Sequence, residues 1–453
     1  MIACAPSSIR PGNASRERGS VLILVLWIAF GLVSIALYFG HSMTFELRAS
    51  DNRVAGYEAD QAIEGAARYV LYLLSNLEEP GKIPDLITYR REAVPLGSAT
   101  FWFVGRDDQQ RSLNAPFFGL VDEASRLNLN TARREMLEAL PRMTPELAAA
   151  IIDWRDANNE VTAGGAESDI YLRRQPAYAC KNAPFESIEE LRLVMGADMD
   201  ILYGEDTNLN GILDRNENDG TVSAPADNHD GRLDPGILEY VTVHSREPNI
   251  RSDGTPRVNV SGAGNQAQLA TLLQSKFNAA RANQILQQVR NGTNGSVLQF
   301  FTRSGMTPEE FAQISGDITT ANGQFVSGLV NVNTASEAVL TCLPGVGVDK
   351  ASAVVAYRQS NRDKLTSVAW LVEVLGTAGA REAGPYVTSR SYQFSADIAA
   401  VGHHGRGYRR SRYIFDTSDQ SPKIRHRQDL NQLGWALGTE TRQKLLVAAQ
   451  TPR

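Results

Sequence analysis

The residues of this chain best suited to chemistry lie in one acidic stretch. Asp206-Thr-Asn208-Leu-Asn210-Gly211-Ile212-Leu-Asp214-Arg-Asn-Glu217 puts oxygen-bearing side chains at alternating positions and ends on a glutamate. This is the spacing of a calcium-binding loop of the EF-hand type. Asp206, Asn208 and Asn210 supply side-chain oxygens, Gly211 makes the sharp turn and Ile212 offers its backbone carbonyl. Asp214 ligates directly or through water, and Glu217 closes the site with both oxygens. Residues 198–239 hold eleven Asp and Glu against Arg215 and Arg232, a net charge of −9, so calcium would relieve mutual repulsion. A poorer copy follows in Asp227, Asn228, Asp230 and Asp234. It lacks an oxygen ligand at Ala226 and Ile237, its first and last positions, and reads either as a second metal site or as a turn. A solvated acidic loop is the alternative for the whole stretch.

No catalytic constellation accompanies it. There is no GxSxG, Walker loop or HExxH, and the six histidines include only one adjacent pair, His403 and His404. Cys4, Cys180 and Cys342 are too few for a disulfide scaffold, although Cys180 and Cys342 could pair. The expectation is a protein that is not an enzyme. With 453 residues, 42% hydrophobic and 21% charged, the chain should form two or three folded units. Its net charge of −6 argues against general binding to nucleic acid.

Other elements must position the acidic stretch. Gly19 to Phe45 contains no Asp, Glu, Lys or Arg, and residues 20–40 form an apolar run long enough to span a bilayer as a helix. Arg10, Arg16 and Arg18 precede it against Glu17 alone, which places the N-terminus in the cytoplasm and sends the rest across. A cleaved signal peptide is the competing reading, but the run is too long for one and no A-x-A site follows before Glu46. Beyond the span no proline occurs until Pro80. Ala59, Ile63, Ala66, Val70, Leu73 and Leu77 make one apolar stripe, so a single helix should continue into a soluble body.

Arg16-Glu17-Arg18-Gly19, then Ser20 and the apolar helix, resembles the leader of type IV pilins and pseudopilins. The resemblance implies that a prepilin peptidase cuts between Gly19 and Ser20. Ser20 replaces the usual phenylalanine of that family, and Leu24 stands where its members usually carry glutamate. Loss of that glutamate is similar to the K-type minor pseudopilins of type II secretion systems. Two further strings support that branch: LNLNTARREMLEALPRMTPELAAAIIDW from Leu127 and VNVNTASEAVLTCLPGVGVDKASAVVAY from Val330. They repeat one pattern of Asn-x-Asn-Thr-Ala, helix, Leu-Pro, helix, with Thr131 and Thr334 as expected N-caps. PFESIEELRLVMG (184–196) and LTSVAWLVEVLG (365–376) look like later halves of the same pattern. These strings, with DWRDANNE (153–160) and GGAESDIYL (164–172), resemble the duplicated SAM-like domains of that branch. The likeness covers the N-terminal helix, 120–262 and 329–376, and is weaker over 264–327 and after about 380.

The expected fold is therefore α+β: a pseudopilin fold with a long N-terminal transmembrane helix, a small antiparallel sheet and a large inserted all-α domain. The expected divisions are a leader 1–19, a helix 20–78, sheet strands in 79–126, a first SAM-like unit 127–198 and the calcium insert 199–236. A strand segment 237–262, a second SAM-like unit 263–380 and C-terminal strands 381–453 complete the chain. Ala99–Val104, Ile237–Val243 and Tyr392–Ile398 read as half-buried strands, and Tyr408–Phe415 as a weaker one. Residues 403–427 carry seven Lys and Arg, either a contact surface or a charged edge strand with solvated loops.

The resemblance implies a minor pseudopilin at the tip of the secretion pseudopilus, in the inner membrane with its body in the periplasm. Its partners would be other minor pseudopilins and the prepilin peptidase. The rival is a membrane-tethered helix-hairpin-helix DNA receptor, because Leu343-Pro-Gly-Val-Gly347 matches a phosphate-gripping hairpin. The first copy has Arg142-Met143-Thr144 there instead, and Lys350 is the only nearby base, so no nucleic acid is expected. A calcium-dependent docking protein, similar to dockerins, is a third class resting on the insert alone.

Overall fold

The computed structural model describes residues 18–82, 86–106, 116–290, 292–419 and 421–450. Residues 1–17 of the expected leader lie outside them, and Gly19 and Ser20 begin the first helix. Helix α1 (Arg18–Ser75) runs unbroken for 58 residues, roughly 90 Å at the α-helical rise. It changes character once. Residues 21–50 are exposed all round, whereas Ala55, Ala59, Ala62, Ile63, Ala66, Ala67, Val70 and Leu74 are buried along one stripe. The first part is long and apolar enough to cross a membrane, with none of its most apolar window buried against protein.

The buried stripe lies on an antiparallel sheet of β1 (Val94–Leu96), β2 (Ala99–Val104), β3 (Val121–Asp122), β4 (Gln393–Val401), β5 (Arg409–Asp416) and β6 (Lys423–Asp429). The order is β1-β2-β4-β5-β6, with β3 paired to the start of β4. Alternation divides the central strands. Phe394, Ala396, Ile398 and Ala400 join Phe101, Phe103, Tyr413 and Phe415 under α1. Ala399 and Val401 face the other way, with Trp102, Val104, Phe118, Ala436 and Leu437. The basic run ends in the exposed edge strand β6, whose Arg427 reaches Glu64 on α1 at 2.7 Å.

The turn between β4 and β5 presses on the helix backbone. A Cβ on Gly402 would lie 2.2 Å from the Ala55 carbonyl oxygen, and one on Gly407 2.3 Å from the Gly56 nitrogen, so only glycine fits. From this turn His403 bridges two turns of α1. Its Nδ1 lies 2.7 Å from Glu58 Oε2 and its Nε2 2.9 Å from Asp51 Oδ1, while Arg406 also pairs with Asp51.

Between β3 and β4 lies a large helical insertion with its own core. It is not purely helical: short strand pairs organise it. Leu127–Asn128 pairs in parallel with Val241–Thr242, Val258–Asn259 with Ile318–Thr319, and Val330–Asn331 with Val387–Thr388. Each pair closes one helical unit, so the insertion holds three, not the two legible as motifs. The local chemistry repeats. The Asn128, Asn259 and Asn331 Oδ1 atoms accept from backbone nitrogens two residues on, at 2.9, 2.8 and 3.0 Å. The Thr242, Thr319 and Thr388 hydroxyls do the same, each at 3.1 Å. Arg155 and Arg358 reach back from their helices to carbonyls at Leu129 and Ala132, and at Val332 and Ala335.

Several expectations are corrected. Thr334 is not an N-cap: its hydroxyl donates to Asp122 Oδ2 at 2.6 Å, and Ser336 caps the helix Glu337–Thr341 instead. Thr131 likewise leaves the N-cap position to Arg133. Ile237–Glu239 forms a 3₁₀ turn, so only Val241–Thr242 of that expected strand is extended. Cys180 and Cys342 are each free and buried, and burial pushes their thiols up to about 11 and about 12. Asp122 pins the third unit to the sheet by accepting from Asn331 and Ser391 as well, and burial raises its carboxyl to about 6.

The His403 clamp gives a pH dependence. Hydrogen bonds to Glu58 and Asp51 raise the histidine above its ordinary value. Its stabilising contribution is thus full below the unfolded value of about 6.5 and is lost as pH rises through the raised one. The lowered carboxyls of Asp51 and Glu58 stay ionised throughout that window. Melting of the full chain in detergent should show stability falling above about pH 6.5, and His403→Gln should flatten that fall. Equal slopes in both proteins would contradict the clamp.

Candidate functional site

The loop 206–217 leaves the short helix Met199–Tyr203 and lies partly inside the protein. Asp206, Asn210 and Glu217 are buried, while Asn208 and Asp214 are half-buried. The carboxylate of Asp206 accepts from the backbone nitrogens of Asn210 and Gly211, both at 2.9 Å. Gly211 sits at φ +73°, as the tight turn requires. Asp214 Oδ2 accepts from the Asn208 and Asn210 amides at 2.7 and 3.0 Å, and Glu217 accepts from the Thr207 and Asp214 nitrogens at 3.1 and 3.0 Å. The loop thus folds its three carboxylates inward, with the two asparagines between them.

Electrostatics oppose this packing. Burial, with Asp206 and Asp214 nearby, pushes Glu217 up to about 8. Burial also raises Asp206 and Asp214, although Arg106 draws Asp206 part of the way back. Asn208 Oδ1 is buried and has no hydrogen-bond partner among the described residues. A buried acceptor without a donor costs free energy, and a cation would satisfy it. Among the described residues no group of three His, Cys, Asp or Glu forms a metal site on its own. The set here would rely equally on the amide and carbonyl oxygens of Asn208, Asn210 and Ile212. Those donors, with Asp206, Asp214 and Glu217, fit a hard divalent cation.

The second loop is built differently. Asp227 accepts from the nitrogens of Asp219, Gly220 and His229, and Asn228 and Asp230 each accept from a nitrogen two residues on. Asp234 is paired with Arg142 at 2.8 Å. Local donors therefore occupy these residues.

The hairpin at Leu343–Gly347 serves packing. A Cβ on Gly345 would lie 2.3 Å from the Gly379 carbonyl oxygen, so this glycine admits the neighbouring helix. Lys350, beside the hairpin, donates to the Leu375 carbonyl at 2.8 Å and is engaged within the fold.

Sequence reasoning missed the sheet residues that hold the loop. Arg410 is fully buried on β5, paired with Asp397 on β4 at 2.6 Å, and donates to the carbonyls of Asn208 and Leu209. Arg106, just past β2, pairs with Glu239 at 3.0 Å and donates to the carbonyls of Leu209 and Asn210. The charged character of β5 was the only signal, and it read as an edge.

Comparison with known proteins finds matches over parts of the chain. The family model for "Type II secretion system (T2SS), protein K" matches residues 121–203, and a helix-hairpin-helix motif model matches residues 327–377. The type II secretion system protein K of Pectobacterium carotovorum subsp. carotovorum is 41% identical over 211 residues, covering 41% of this chain and 60% of that protein. The Klebsiella pneumoniae protein of the same name is 36% identical over 64 residues, covering 14% of this chain and 20% of its own length. The chain thus spans between a fifth and three fifths of these relatives. Among solved structures, the GspK-GspI-GspJ complex of the enterotoxigenic Escherichia coli type 2 secretion system aligns over 82% of this chain and 97% of its own, at 12% identity and a TM-score of 0.41. In its first unit and over these aligned stretches, the chain is similar to the type II secretion system protein K family.

Proposed function

We propose that this chain is a minor pseudopilin at the tip of a type II secretion pseudopilus, acting in protein export and without catalytic activity. The observation that carries the reading is α1: one helix, apolar all round and then apolar on one face, running from a membrane span into the packing of an antiparallel sheet. Such a subunit sits in a helical bundle with its neighbours while its head stays outside. The insertion between β3 and β4 adds bulk to that head, which hinders another subunit from stacking above it. Leu24 adds no charge in the span, so no inter-subunit ion pair anchors the helix there. The N-terminus is cytoplasmic, the span lies in the inner membrane and the body is periplasmic.

The partners are the other minor pseudopilins of the same system. Co-expression of the full chain with them, followed by purification in mild detergent through a tag on this chain, should recover a stable complex. Recovery of the folded chain alone would contradict the reading.

The same proposal assigns calcium to Asp206, Asn208, Asn210, Ile212, Asp214 and Glu217. The ion would neutralise three inward-facing carboxylates and fix the turn at Gly211. At ten times Kd a single site stabilises the fold by roughly 1.4 kcal/mol, a melting shift of a few degrees. Calorimetry should find binding at about 10⁻⁴ to 10⁻³ M or tighter. Glu217→Gln should weaken it most, and Asn216→Ala, an exposed position in the loop, should leave it unchanged. No heat of binding from the wild-type chain at millimolar calcium would remove the metal assignment and leave the pseudopilin reading intact.

A further inference from the structure

The loop 206–217 has two sides. Inward it gathers Asp206, Asp214 and Glu217; outward the carbonyls of its residues 208, 209 and 210 meet the sheet. Arg410 donates to the Asn208 carbonyl from Nη1 at 2.5 Å and to the Leu209 carbonyl from Nη2 at 2.6 Å. Arg106 donates to the Leu209 carbonyl at 2.5 Å and to the Asn210 carbonyl at 3.2 Å. The Asn208 amide also donates to the Trp435 carbonyl at 3.2 Å, on the segment that covers the sheet's outer face. Leu209 is held at φ +51°, a left-handed conformation that leucine rarely adopts, and its carbonyl is the one both guanidiniums share.

Both arginines are held by carboxylates where they stand, and Asp397 also takes Arg412 at 3.2 Å. Arg410 Nε and Nη2 lie 2.8 and 2.6 Å from the two oxygens of Asp397, and Arg106 Nε lies 3.0 Å from Glu239 Oε2. They fix the loop backbone from the sheet side, through its carbonyls. Arg410 has no exposed surface and Arg106 keeps 11% of its side chain exposed. A buried fork of this kind has one geometry, set by β4 and β5 rather than by the loop itself.

We propose that Arg410 and Arg106 are positioning residues for the loop, so that cation binding and docking of the inserted domain on the sheet form one linked equilibrium. The inference rests on the calcium reading above and adds its coupling. Residues 208 and 210 carry both a candidate ligand oxygen and a carbonyl gripped from the sheet. A loop already ordered by the sheet loses less conformational freedom when the ion binds. Linkage then requires the reverse: the ion must strengthen the hold of the insertion on the sheet by the same factor.

The test uses the full chain in detergent and calcium as the probe. Titration calorimetry compares wild type, Arg106→Gln and Arg410→Gln, and amide exchange is followed on wild type with calcium and with chelator. The expected result is about a tenfold or greater loss of calcium affinity in either variant, with Arg106→Lys recovering part of it. Calcium should also slow exchange in β4 and β5, which carry none of the ion's ligands. Unchanged affinity in Arg106→Gln, with sheet exchange indifferent to calcium, would overturn the coupling while leaving the metal site standing. Absence of binding by wild type would overturn both. Should Arg410→Gln fail to fold, Arg106→Gln and wild-type exchange still decide.

Discussion

One helix has to satisfy two solvents, and the rest of the architecture follows from that. The first part of α1 offers no polar face, so only lipid or other apolar helices can surround it. A few turns later the apolar positions narrow to the stripe of Ala59, Ile63, Ala66 and Val70, which must be covered by protein. The sheet supplies that cover, and its strands come from both ends of the chain: β1 to β3 follow α1, and β4 to β6 close the sequence. Small residues on the stripe let strands lie close to the helix, and Gly402 and Gly407 bring the β4–β5 turn into backbone contact. His403 then ties that turn to Asp51 and Glu58, just past the part of α1 that is exposed all round.

Because β3 and β4 are neighbours in the sheet, everything between them can grow without disturbing the helix–sheet packing. The insertion uses this freedom by repeating one small unit. A parallel strand pair closes each unit, and an asparagine and a threonine satisfy backbone donors where each strand ends. Joints between insertion and sheet include buried polar groups. Asp122 holds the third unit, and Asp397 with Arg410 holds the acidic loop. Buried ion pairs add little net stability, but breaking one is costly, so they favour a single docked geometry.

The parts written in local patterns were legible in the sequence. The apolar run and stripe gave α1, alternation gave β2 and β4, and the paired Asn-x-Asn-Thr strings gave the first and third units. The second unit escaped because Val258-Asn-Val-Ser-Gly-Ala-Gly keeps the strand and its asparagine but replaces the Thr-Ala helix start with glycines. The spacing of Asp206 to Glu217 read as a calcium loop or a solvated acidic loop, and Gly211 in it sits at φ +73°. Its anchors were beyond reach: Arg410 lies some two hundred residues from the carbonyls it holds, and no periodicity connects them. Thr334 failed as a cap for a related reason, since Asp122, distant in sequence, competes for its hydroxyl. Long-range polar partners leave no local trace.

The central claim is that the apolar start of α1 remains part of the working protein and is continuous with its head. The most direct measurement is the N-terminal sequence of the chain recovered from membranes of cells that contain a prepilin peptidase, read by mass spectrometry of the intact protein. The account predicts a start at Ser20, with the whole span retained. A start near Gly40 or beyond, leaving a head without its membrane helix, would contradict it.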